Sequence, residues 1–148
     1  APDRLIFAPF LAAPQDHLAR LGLADLFLDT LPYNAHATAS DALWAGLPVL
    51  TCRGEAFAGR VAASLLNDVG LPDLVTDSLA AYEAAALRLA RNPDILAAMK
   101  TKLARNRETC PLFDTPLYAR HLDEAFLRMH ERAMRGLGPV PFGVEASA

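Results

Sequence analysis

The sequence predicts an α/β protein: a Rossmann-like parallel sheet with flanking helices. Three observations predict it. Short apolar runs alternate with helix-type segments, the connections between them are only a few residues long, and Gly or Pro punctuates most junctions. Such alternation implies parallel strands joined by right-handed crossovers, with helices on both faces.

The elements follow in order. Arg4 to Ala8 reads as a first, buried strand. Pro14 to Leu21 reads as a short helix, with Pro14 suited to its first turn. Ala24 to Asp29 is a second strand, apolar enough to be covered on both faces. Thr30 to Thr38 is turn-rich, with Pro32 and Asn34. A helix over Ala39 to Ala45 is stopped by Gly46, and Pro48 punctuates the approach to a third strand at Val49 to Cys52. Glu55 to Val69 reads as a helix ending at Gly70, and Leu74 to Thr76 as a short fourth strand. Ser78 caps a helix running to about Arg91, Asn92-Pro93 breaks it, and another helix runs from Asp94 to Asn106. After the punctuation at Pro111 to Pro116, Leu117 to Arg135 forms one long helix. Leu122, Ala125, Phe126, Met129 and Ala133 share one face of it. Gly136 to Ala148 reads as a frayed tail. Trp44, Leu43 and Leu47 are assigned to the core.

Composition narrows the function. Of the 148 residues, 53% are hydrophobic and 21% charged, so a packed core is expected and disorder is not. Lys and Arg (14) do not exceed Asp and Glu (17), which disfavours nucleic acid as a partner. No run reaches the roughly 18 apolar residues of a membrane span. Cys52 and Cys110 lack metal-type spacing, and two isolated thiols suggest a cytoplasmic protein. Four strands are few for a complete doubly wound domain, and the chain opens almost directly into a strand, so it reads as a piece of a longer protein.

Chemistry is concentrated between Asp29 and Thr51. In open parallel sheets, ligands sit beyond the carboxyl ends of the strands, where loops lead into helix N-termini. A helix starting near Thr38 or Ala39 turns free backbone N–H groups and its positive dipole end towards such a loop. Small residues (Ala35, Ala37, Ala39) let an anion come close, Thr38 and Ser40 add hydroxyls, and His36 adds a donor that can be cationic. This is a diphosphate cradle. Asp41, in the first turn, stays ionised beside the dipole and can accept the two hydroxyls of a ribose. From spacing alone, Thr38, Ser40 and Asp41 serve equally well as ordinary capping residues, and His36 and His17 as surface histidines. Asp29, at a strand end, can structure the loop, and Arg53-Gly54-Glu55 can face the same crevice. No Walker lysine or Gly-rich fingerprint is present.

The stretch LADLFLDTLPYNAHATASDALWAGLPVLT, with RVAASLL at Arg60 to Leu66 and CPLFDTPLY at Cys110 to Tyr118, resembles the C-terminal catalytic region of the O-linked N-acetylglucosamine transferase family, including its SPINDLY-like bacterial members. The similarity runs from about Arg4 to Arg135. It implies a GT-B glycosyltransferase in which residues 1–110 form part of the C-terminal nucleotide-sugar-binding lobe, 111–137 a helix crossing to the other lobe, and 138–148 a flexible tail. It further implies metal-independent, inverting transfer of N-acetylglucosamine from UDP-GlcNAc to Ser or Thr of proteins, without a cofactor. Tetratricopeptide repeats and an amino-terminal lobe upstream would supply the acceptor site and the catalytic base.

Residue by residue, the resemblance matches His36, Ala37 and Thr38 to the diphosphate-binding stretch, with His36 as leaving-group stabiliser, and Asp41 to the ribose-binding carboxylate. His17 matches a histidine packed on the uracil, Ala12 a backbone contact to the base, and Arg20 an arginine near the nucleotide. The pattern departs at Pro14, where animal members carry lysine, and at Ala37-Thr38, where two threonines are common. Alternatives are a GDP-fucose-using protein O-fucosyltransferase lobe, a non-catalytic nucleotide-binding module, and an interaction module built on the long helix. This chain by itself is expected to be catalytically inactive, with half the cleft absent.

Overall fold

The computed structural model describes residues 2–145. Three parallel strands form the sheet, β1 (Phe27–Leu28), β2 (Val49–Cys52) and β3 (Val75–Thr76), in the order β1-β2-β3. Phe27 and Leu28 pair with Val49 and Leu50, and Thr51 and Cys52 pair with Val75 and Thr76. The six helices are α1 (Pro14–Leu21), α2 (Ala37–Trp44), α3 (Val61–Asp68), α4 (Leu79–Arg91), α5 (Pro93–Asn106) and α6 (Thr115–Met134).

All four residues of β2 are buried. Since alternate side chains point to opposite faces, both faces of the central strand are covered. Leu43 from α2, Leu66 from α3, Leu89 from α4 and Leu103 from α5 close on Val49 and Leu50. Each such fully buried leucine contributes on the order of 1.5–3 kcal/mol. Two left-handed glycines stop helices as expected: Gly46 at φ 84° after α2 and Gly70 at φ 76° after α3. Ser78 caps α4, its hydroxyl accepting the N–H of Ala81 at 3.2 Å.

Several expectations are corrected. Arg4–Ala8 is not a strand: a single 3-10 turn covers Pro2–Arg4, the residues after it pair with no other segment, and Phe7 is 92% exposed. An apolar run forms a strand only when a neighbouring strand takes its backbone hydrogen bonds. The sheet among the described residues therefore has three strands, not four. The second predicted strand shrinks to β1, which lies at the sheet edge and leaves Leu28 more than half exposed, so it is not covered on both faces. The predicted helix over Glu55–Val69 is interrupted: a 3-10 turn at Phe57–Gly59 precedes α3. Trp44 is not core but 51% exposed, edge-on to Phe113 with ring centroids 5.1 Å apart and with the Arg107 guanidinium over its ring. α6 buries none of its residues. Arg128 and Arg132 on it donate to the carbonyls of Gly143 and Gly138, which holds part of the C-terminal segment against the helix. The end of the predicted tail, 146–148, lies outside the described residues.

Candidate functional site at the tip of α2

The site is built from β1 outward. Asp29 ends the edge strand and is almost fully buried. One carboxylate oxygen accepts the N–H groups of Thr30 (2.8 Å) and Ala35 (2.7 Å), and the other accepts the Thr51 hydroxyl at 2.6 Å. Its own carbonyl accepts the Tyr82 hydroxyl at 2.8 Å. A charged acceptor with three donors is worth more than neutral pairs. It ties both ends of the Thr30–Ala35 loop to the central strand. Asn34 closes the loop from within, donating from Nδ2 to the Thr30 carbonyl at 2.8 Å. Burial pushes the Tyr82 hydroxyl pKa up, and its electrostatic interaction with the neighbouring Asp29 and Cys52 adds to that.

The loop delivers the chain into α2, which begins at Ala37 with His36 as its N-cap residue, slightly earlier than the spacing suggests. No side chain caps it. Thr38, Ser40 and Asp41 are therefore not capping this helix, and the orphan N–H groups of its first turn keep their positive end for another partner. Ala37 and Thr38 are exposed while Ala39 is buried, so the tip opens outward on a rigid base. The cleft in front of it, about 400 Å³, is lined by Phe27, Asp29, Thr30 and the residues from Tyr33 to Thr38.

Beside the tip, α1 lies against α2. His17 Nε2 is 3.8 Å from Asp41 Oδ2, and both side chains are partly exposed. The Arg20 guanidinium reaches the Pro9 carbonyl and lies 3.4 Å from His17 Nδ1. A guanidinium only donates, so His17 Nδ1 accepts and the ring's Nε2–H faces Asp41. The seven residues singled out from the sequence thus fall into two adjoining groups. His36, Ala37 and Thr38 form the tip, and His17, Arg20 and Asp41 flank it. Ala12 stands exposed in the bend before α1, with no hydrogen bond to the other six. Among the described residues, no three His, Cys, Asp or Glu come close enough to hold a metal ion.

A second loop also reaches the site. The N–H of Asn34 donates to the Ala58 carbonyl at 2.9 Å, and His36 Nε2 lies 3.3 Å from the same oxygen. Arg53 does not point into the cleft but pairs with Asp77 at 2.7 Å. Asn34, Thr51, Tyr82 and Ala58 were not singled out from the sequence. Asn34 had a local signal, a small polar residue in a turn, whereas the other three owe their roles to contacts between distant segments. Larger cavities lie elsewhere, one of about 680 Å³ between β1, α4 and α5, and one of about 640 Å³ along α3. The cavity along α3 also borders an uncapped helix start, at Arg60 and Val61 beside Arg53 beyond β2, but it lacks the His36, Ala37 and Thr38 that line the smaller cleft.

The profile of glycosyl transferase family 41 matches residues 1–122. A probable UDP-N-acetylglucosamine–peptide N-acetylglucosaminyltransferase, SEC, of Arabidopsis thaliana is 40% identical over 97% of this chain, which spans 15% of that protein. The UDP-N-acetylglucosamine–peptide N-acetylglucosaminyltransferase of Caenorhabditis elegans is 37% identical over 92% of this chain, which spans 12% of that protein. In structure, a mutant O-GlcNAc transferase of Thermobaculum terrenum superposes with a TM-score of 0.81 at 35% identity, covering 88% of this chain and 25% of that one.

Proposed function

This chain belongs to glycosyl transferase family 41, and from that membership we propose that it is the UDP-GlcNAc-binding part of a protein O-GlcNAc transferase. The observation that carries the reading is the uncapped, outward-facing first turn of α2, with Asp41 and His17 on its flank. The backbone amides of Ala37 and Thr38, the Thr38 hydroxyl and the His36 ring receive the diphosphate. Asp41, which lies one turn into α2 and not in its first turn as the spacing suggests, accepts the ribose hydroxyls. His17 packs on the uracil, Ala12 contributes a backbone contact to the base, and Arg20 holds His17 from the far side of its ring.

Catalysis in this reading is electrostatic. As the bond from the anomeric carbon to the diphosphate breaks, negative charge grows on the leaving oxygen. Preorganised donors at the α2 tip meet that charge with no reorganisation cost, in the place a metal takes in other transferases. The attacking group is a Ser or Thr hydroxyl of a protein acceptor, with inversion at the anomeric carbon. The amino-terminal lobe, the tetratricopeptide repeats that hold the acceptor and the catalytic base belong to the rest of the full-length protein, and this chain alone is inactive. Cytoplasmic location is part of the proposal. No helix among the described residues is long and apolar enough to cross a membrane.

Calorimetric titration of the full-length protein with UDP tests the assignment. Wild type binds, and Asp41→Ala loses at least tenfold in affinity. Unchanged affinity in Asp41→Ala contradicts it.

A further inference from the structure

The Gly54–Gly59 loop touches the site in a way the donor-binding reading does not require. Its ends are pinched together, the N–H of Gly54 donating to the Gly59 carbonyl at 2.6 Å. It is pressed against the Thr30–His36 loop: a Cβ on Gly59 would stand 3.1 Å from the Pro32 carbonyl and 3.1 Å from the Gly54 Cα, so any side chain there pushes the two loops a few tenths of an ångström apart. The result is a fixed carbonyl, that of Ala58, which takes the Asn34 N–H and faces His36 Nε2. Tyr33 stacks on the His36 ring at 4.8 Å and 16°, and Phe57 stands edge-on at 6.1 Å and 90°. The ring is therefore held on two sides by aromatic groups and at one nitrogen by a carbonyl.

We propose that the Gly54–Gly59 loop is a positioning element for His36: through the Ala58 carbonyl it fixes the Nε2–H form of the ring and leaves Nδ1 as the atom that meets the phosphate of the donor. The chemistry is simple. A carbonyl oxygen only accepts, so the contact is a hydrogen bond only when Nε2 carries the proton. Nδ1 makes no hydrogen bond among the described residues, and it is not closed off from solvent. With Nε2–H committed, Nδ1 can donate to a phosphate oxygen only by taking up a second proton. Binding of the diphosphate thus draws one proton from solvent onto His36. Tyr33 stacks on the ring, and Asp29, held by its three donors, heads the same loop; Asp41 and His17 flank the tip on the α1 side, and next to or within the second loop stand Arg53, paired with Asp77, and Glu55 and Arg60. The phosphate half of the proposal rests on the donor-site reading, whereas the tautomer half does not.

The test uses the full-length protein with ¹⁵N-labelled histidine, the His36 signals being identified by their loss in His36→Gln. At a pH where the ring is neutral, wild type shows Nε2 protonated and Nδ1 bare. Gly59→Ala, which forces the loops apart, shifts the ring towards a mixture of the two forms. UDP titrations in two buffers of different ionisation heat then show proton uptake in wild type and none in His36→Gln. A neutral ring protonated at Nδ1 overturns the proposal, as does a wild type that binds UDP without uptake. A protein with the Nε2–H form that binds no UDP upholds the loop's role and overturns the donor-site reading alone.

Discussion

The Thr51 hydroxyl on β2 donates to the Asp29 carboxylate at the end of β1, across 2.6 Å of buried space. This one bond ties the loop that carries the candidate site to the central strand of the sheet. The same carboxylate takes two loop amides. Asp29→Ala strands three donors at once, and each unpaired buried donor costs on the order of 1–3 kcal/mol. Urea denaturation is expected to show a loss of at least about 2 kcal/mol. Asp29→Asn is milder, since its Oδ1 can keep the two loop amides and its Nδ2 can donate to the Thr51 hydroxyl oxygen, so that chiefly the charge is lost. A shift below about 0.5 kcal/mol, the range of ordinary surface changes, contradicts the anchoring role.

Tyr82 adds a pH dependence. Its hydroxyl donates to the Asp29 carbonyl, and burial raises its pKa above the unfolded value of about 10. A neutral form favoured by folding stabilises fully below that value, and the benefit is lost as pH rises through the raised native value. Stability measured from neutral pH into the alkaline range is expected to decline above about pH 10 in wild type. Tyr82→Phe lacks the hydroxyl-dependent part of that decline. Identical alkaline limbs for the two proteins contradict the assignment.

The two left-handed glycines are predicted to differ. At Gly70 a Cβ would sit 2.7 Å from Asn106 Nδ2, the group that donates to the Val69 carbonyl. At Gly46 the nearest atom, on Arg107, is 4.0 Å away. Gly46→Ala meets backbone strain alone, about 1 kcal/mol, whereas Gly70→Ala adds a clash and a broken hydrogen bond. Thermal melts are expected to fall further for Gly70→Ala. The reverse order contradicts the packing around Asn106.

His36 meets the diphosphate of the bound donor and is assigned a stronger interaction with the charge that develops on the leaving oxygen. In the full-length protein His36→Ala is expected to lower kcat by at least about tenfold, with UDP affinity changed much less. Equal losses in both remove the transition-state role.

Much of this fold was legible because local signals and tertiary packing agree. The bounds of α1 and β2 are those expected, and Gly46, Gly70 and Ser78 act where capping chemistry puts them. The failures share a cause. Arg4 to Ala8 and Trp44 read as interior on hydrophobicity, but burial needs a covering surface: among the described residues no strand lies beside the first, and Trp44 packs on Phe113 and Arg107 yet stays half exposed. β1 was over-extended for the same reason, its free edge giving the backbone nothing to pair with. At the site, the uncapped α2 tip and its flanking Asp41 follow from residues adjacent in sequence. Thr51, Tyr82 and Ala58 reach it from 22 to 53 residues away, and no local pattern announces such contacts.

The central claim is that the first turn of α2 receives a sugar-nucleotide diphosphate. A crystal structure of the full-length protein with UDP tests it most directly. The account predicts phosphate oxygens within hydrogen-bond distance of the Ala37 and Thr38 amides and ribose hydroxyls on Asp41. UDP seated in another cavity, with the α2 tip left to solvent, would contradict it.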